Sequence, residues 1–194
     1  DSRRDFAWVM AVALALTAIN AARPVTVDDP AYLRQAAWWA AHPADPLGGE
    51  VFLHGSLAPA PTSASAPVAI GWLALGTAVG GTHEAWLKWW LLPFAWLFAW
   101  ALHDLLRRAA PALAKPLLAA ALLSPWLLPS FGFMLEVPML ALSLAALALF
   151  ARGAPGHPWR AAVAAGVLAG LALQTKYTAA PVLVALLAWG VFAG

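Results

Sequence analysis

A helix that crosses a bilayer needs about 20 predominantly apolar residues, and this chain offers such runs one after another. Phe6 to Ala22 is apolar apart from Thr17 and Asn20, with Arg3 and Arg4 just ahead of it. Trp86 to Leu106, Leu117 to Leu135, Val137 to Ala151, Ala161 to Thr175 and Tyr177 to Phe192 repeat the pattern. Of all residues, 63% are hydrophobic and 10% charged, with a mean hydropathy of +0.76. A water-facing surface usually draws on about 25% charged residues, whereas a lipid-facing one needs almost none once its backbone is helical. The sequence predicts an all-α fold, a polytopic transmembrane helical bundle of about six spans. A cleaved signal peptide also fits the first run. No clean Ala-x-Ala site precedes Arg23, and the rest of the chain is equally apolar, so the run is read as a retained span. Residues 1–194 read as one transmembrane module, the N-terminal part of a longer protein. Cysteine is absent, which removes disulfides and thiol chemistry. No Lys/Arg-rich run exists, so nucleic acid is not an expected partner.

The run Pro67 to Gly80 is shorter and dotted with Gly71, Gly76 and Gly80. Its placement sets the topology, because cytoplasmic loops collect Lys and Arg. If it does not cross, Arg3, Arg4, Arg107, Arg108, Lys115, Arg152 and Arg160 lie inside, and Arg23, Arg34, Lys88 and Lys176 outside. If it crosses, the excess falls outside and the rule is broken. The run is therefore read as a membrane-surface or re-entrant segment. Residues 23–85 then form one long external loop with juxtamembrane helices. Asp28, Asp29, Asp45, Glu50, Glu84 and Glu136 share the external side, although the rule ignores acids. Trp86, Trp89 and Trp90 fall where the second span meets the outer interface and read as lipid anchors; Trp159 marks the inner one.

Three stretches carry possible chemistry. In Val27-Asp28-Asp29-Pro30-Ala31-Tyr32, Asp29 then Pro30 reads as a helix start, Asp as N-cap and Pro at the first position. That helix would end near Ala41, before His42-Pro43. Asp28, not needed as the cap, lies beside a helix N-terminus that favours its ionised form. It is either a solvated loop acid or a carboxylate able to take a proton or hold a cation. Glu136, in Leu135-Glu136-Val137-Pro138, sits between two apolar runs with no adjacent cation. An acid so placed is a functional candidate by default, and an interfacial loop acid otherwise. Lys176, in Gln174-Thr175-Lys176-Tyr177, separates two apolar helices and either snorkels or meets an anion. Lys88 follows Glu84 by four residues, the spacing of a local ion pair. His42, His54 and His83 show no metal-ligand spacing and read as loop histidines.

These segments, in order, resemble the GT-C membrane glycosyltransferases, in the family 39 branch of the protein O-mannosyltransferases and the bacterial aminoarabinose transferase of lipid A. The resemblance rests on Asp28-Asp29-Pro30-Ala31-Tyr32 after the first span, then on Ser65-Ala66-Pro67-Val68 through Gly80. It continues in Lys88 opening the next span and Arg107-Arg108 closing it, in Glu136-Val137-Pro138, and in Gly170-Leu171 through Thr175-Lys176. Asp29 stands where the family usually has Glu, Glu136 where it has Asp, and Ala66-Pro67 where it has Pro-Pro.

The resemblance implies sugar transfer from a polyprenyl-phosphate-linked donor to an acceptor hydroxyl, on a lipid or protein, at the non-cytoplasmic face of a bacterial inner membrane. It implies inverting displacement with Asp28 as base and Glu136 orienting the acceptor or the base. Lys88 or Lys176 would meet the phosphate, and Asp29, Tyr32 and Tyr177 would contact substrate. No cofactor is required by the sequence, though a divalent cation between Asp28 and Glu136 is compatible with it. The other readings of the same residues are a transporter or flippase for a lipid or ion, with Glu136 and Lys176 as its intramembrane site, and a non-catalytic membrane scaffold.

Overall fold

The computed structural model describes residues 2–26, 28–53, 56–60, 67–125, 127–153 and 158–192. The fold is helical. α1 (Ser2–Ala21) leads to α2 (Asp29–Ala41), a hairpin of β1 (Glu50–Leu53) and β2 (Ser56–Pro59), and α3 (Pro67–Gly80). α4 (Glu84–Trp90), α5 (Leu92–Ala109), α6 (Ala114–Leu122), α7 (Glu136–Arg152), α8 (Pro158–Leu173) and α9 (Ala180–Phe192) follow. The Ser65-Ala66 part of the Pro-rich segment, His54 and Val27 lie outside the described residues.

α5 and α7 form the centre, with α1 against α5, and α8 and α9 against α7. Alanine sets how closely they approach. Ala145 and Ala148 of α7 meet Ala101 of α5, while Ala146 meets Ala165 and Ala169 of α8, all buried. Small side chains let helix backbones come together and gain dispersion contacts where no hydrophobic drive distinguishes neighbour from lipid. Larger residues fill the α1–α5–α6 junction, where Val9, Leu16, Phe98, Leu118 and Leu122 are buried together.

Charge divides between two ends of this bundle. At the basic end, Asp5 of α1 pairs with Arg107 at 2.9 Å and Lys115 at 3.0 Å. There too Asp104 pairs with Arg152 at 2.7 Å and Arg108 at 3.0 Å. These contacts bring together the start of α1, the ends of α5 and α7, and the start of α6. At the opposite, carboxylate end lie the close of α1, the start of α2, Lys88, Glu136 and Lys176.

α3 stays at the carboxylate end. Its first turn is tied to the end of α8, where Val68 N–H donates to the Gln174 carbonyl at 2.9 Å. Its last turns lie against α4, where Trp86 Nε1 donates to the Gly76 carbonyl at 2.8 Å. Trp72 and Trp90 exchange indole-to-carbonyl hydrogen bonds at 2.9 and 2.8 Å. The three glycines are recesses for indoles: Gly71 faces Trp39, Gly76 faces Trp90 and Gly80 faces Trp86. A Cβ on Gly76 would stand 2.5 Å from the Trp90 ring. Trp86 and Trp90 therefore pack against protein rather than serving as free lipid anchors; Trp89 keeps 40% exposure.

Other expectations are corrected. Among the described residues two helical stretches, Arg3–Ala21 and Glu84–Ala109, are both long and apolar enough to cross a bilayer. The runs at 67–80, 111–122, 159–173 and 177–192 form apolar helices of only 10–17 residues. The expected third span, Leu117 to Leu135, is not one helix: α6 stops at Leu122 and a 3-10 turn covers Leu128–Phe131. Pro125 and Pro129 explain the break, since proline removes a backbone donor and crowds the preceding turn. Ser124 Oγ accepts from Leu127 N–H at 3.2 Å, satisfying one donor there. The hairpin was not anticipated; its two strands have four residues each.

Candidate functional site

α2 begins one residue earlier than its sequence suggests. The cap position belongs to Asp28, whose side chain makes no capping bond, and Asp29 is inside the first turn with Pro30 next to it. Asp28 is exposed and Asp29 is buried, 4% accessible. Asp29 Oδ2 accepts from Thr26 N–H at 3.0 Å, and its buried Oδ1 has no partner among the described residues. Burial raises the Asp29 carboxyl above the ordinary value of 3.8 against the Thr26 hydrogen bond and the nearby Lys88 charge. The same face of α2 carries Tyr32, whose phenol is pushed up to about 12 by burial and by the charges of Asp28, Glu136 and Asp29. Those couplings place Tyr32 within electrostatic reach of all three acids.

Glu136 opens α7, where the helix dipole favours a negative charge. Its Oε1 pairs with Lys176 Nζ, and its buried Oε2 has no partner among the described residues. Lys176 precedes the 3-10 turn Tyr177–Ala179 and is extended, which turns the chain back from α8 into α9. Its ammonium thus meets an anion of the protein itself. Tyr177 is 70% exposed beside it.

Lys88 is 2% accessible. The local pair with Glu84 does not form: Lys88 Nζ donates to the Arg23 carbonyl at the end of α1 and lies 5.5 Å from the centre of the Phe133 ring. An ammonium has three donors, so one carbonyl leaves it with capacity for further acceptors. Asp29 feels its charge.

Residues from four distant parts of the sequence thus share the carboxylate end: Asp28, Asp29 and Tyr32, then Lys88, then Glu136, then Lys176. Sequence reasoning passed over their supports. Arg23 supplies the Lys88 acceptor and donates to Asn20 Oδ1 at 3.3 Å, while buried Asn20 donates to the Leu16 carbonyl at 2.9 Å. Gly132 faces Asp29, with space for a Cβ 4.0 Å from Oδ2. The signal for Arg23 was its position directly after an apolar run; for Gly132 and Phe133 there was none. Among the described residues no group of three His, Cys, Asp or Glu is gathered as a metal site. An apolar cavity of about 530 Å³ lies between α2 and α3, lined by Trp39, Pro67, Val68, Trp72 and Phe94 among others. It adjoins the site through Val68, which bonds Gln174, two residues before Lys176.

The arrangement offers one exposed and one buried carboxylate, a carboxylate–ammonium pair, and a buried ammonium with donors to spare. That set can accept a proton from a hydroxyl and receive a developing anion. No family model, curated protein or solved structure matches the chain.

Proposed function

We propose that the chain is a GT-C-type membrane glycosyltransferase module, moving a sugar from a polyprenyl-phosphate donor to an acceptor hydroxyl at the non-cytoplasmic face. The observation that carries this reading is the meeting of Asp28, Asp29, Glu136, Lys88 and Lys176 at the end of the bundle opposite its basic cluster. Six crossings are assigned to α1, α4 with α5, the broken segment from α6 to Leu135, α7, α8, and the Tyr177 turn with α9. The excess of Lys and Arg puts the basic end in the cytoplasm of a bacterial inner membrane.

The chemistry follows from the residue types. The acceptor oxygen attacks the anomeric carbon as the bond from that carbon to the phosphate oxygen breaks, inverting the centre. The acceptor proton passes to a carboxylate, and the departing phosphate keeps the electron pair. Asp28, open to the outside, takes the proton. Lys88 and Lys176 stabilise the phosphate anion, and apolar surroundings strengthen both interactions. Glu136 holds Lys176 until a substrate competes for it, and the exposed Tyr177 borders the approach. The cavity lined by Trp39 and Trp72 suits the apolar polyprenyl chain.

The test compares Asp28→Asn with the unaltered protein in sugar transfer from polyprenyl-phosphate donors and in binding of polyprenyl phosphate itself. Turnover should fall by about 10²- to 10⁴-fold, the usual worth of a positioned general base, with binding retained. Unchanged turnover in both Asp28→Asn and Asp29→Asn would leave the transfer reading without a base and favour a scaffold.

A further inference from the structure

The basic end contains a pocket that the proposed transfer does not use. It has a volume of about 380 Å³ and is bordered by Arg4, Asp5, His103, Arg107 and Lys115. Three permanent cations face one carboxylate there. Asp5 is already engaged by Arg107 and Lys115, while Arg4 has no carboxylate partner among the described residues. α1 and the nine-residue α6 both start at this pocket, so their positive dipole ends add to the surplus. A second cleft of about 170 Å³ shares Asp5, His103 and Arg107 and is bordered further by Phe6, Val9 and Trp100 and by the paired Asp104 and Arg152. The pocket lies beside Phe6, where the apolar run of α1 begins.

We infer that this pocket holds the phosphate of an anionic membrane lipid of the cytoplasmic leaflet. Three cations against one carboxylate leave two positive charges over, and a phosphodiester offsets one of them. Basic pockets between membrane helices on the cytoplasmic side recognise such headgroups. The inference rests on the membrane reading above, though not on the sugar-transfer chemistry.

The experiment places the full chain in bilayer discs of phosphatidylcholine containing a minor share of phosphatidylglycerol with the same acyl chains. Lipid retained by the protein is then counted by native mass spectrometry. Phosphatidylglycerol should be enriched over phosphatidylcholine, and Arg4→Gln and Lys115→Gln should each reduce that enrichment by about fivefold. Arg4→Gln leaves both Asp5 pairs intact and so keeps the test valid if Lys115→Gln folds poorly. Arg34→Gln, on α2 at the other end, should have no effect. Equal retention of both lipids overturns the inference, as does an equal loss with Arg34→Gln. Binding of inorganic phosphate with no preference between lipids overturns the lipid assignment in favour of a small anion. A chain that fails to enter bilayers sinks the membrane reading itself, an outcome distinct from entry without headgroup selectivity.

Discussion

Asp28 and Asp29 are adjacent and chemically identical, yet one faces water and the other is buried with an unpartnered oxygen. The sequence shows the pair but not the division, which depends on where α2 starts and how it rotates against α3. Burial raises the Asp29 pKa, so the native state binds its proton to higher pH than the unfolded chain does. The resulting destabilisation is absent below the ordinary carboxyl value and builds as pH rises through the folded one. Asp29→Asn removes the ionisation. The variant should melt above the parent at about pH 7 and converge with it near pH 3.5, below the unfolded carboxyl pKa. Melting temperatures in detergent across that range check this; an unvarying gap would mean that the charge of Asp29 is not what burial opposes. Lys88 and Lys176 teach the same lesson. Lys176 was visible as a lone cation and Lys88 as a partner for Glu84, but the groups they meet, Glu136 and the Arg23 carbonyl, come from segments remote in sequence.

At the scale of elements, the sequence reads α3 as a segment that does not cross, and its observed length agrees with that proposal. Fourteen residues make a helix of about 21 Å, short of a hydrocarbon core of about 30 Å. The reason for its glycines was not readable, because each one answers an indole from α2 or α4. Gly76→Ala tests that packing. The new methyl meets the body of Trp90 rather than a flexible tip, and Trp90 is held by its bond to the Trp72 carbonyl. The variant should lose about 1–3 kcal/mol, as overpacked sites do, with altered tryptophan emission. Gly166→Ala on α8, where a Cβ meets nothing, should be neutral or up to about 1 kcal/mol stabilising through helix propensity. Equal melting temperatures for both variants would refute the indole recesses. The break after α6 was written in Pro125 and Pro129. A run of hydropathy hides it, because apolarity measures what a segment can be buried in, not whether its backbone can stay helical.

For the molecule as a whole, the two charged ends were the most legible feature, since an excess of Lys and Arg is a property of totals and tolerates errors in helix boundaries. The ion pairs of Asp5 and Asp104 gather four of those cations at one end, while α3 has both its ends at the other. If the basic end is cytoplasmic, residues before and after α3 must face the same, opposite compartment. The absence of cysteine from the sequence makes this directly measurable. Ala44→Cys and Thr82→Cys lie in exposed positions on either side of α3, and Ala112→Cys lies at the exposed turn before α6. A membrane-impermeant maleimide applied to spheroplasts should label the first two without permeabilisation and the third only after it. Labelling of Thr82→Cys alone, or of Ala44→Cys alone, would mean that α3 passes through the bilayer. Asp28 would then be separated from Glu136, and neither could act on a substrate held by the other.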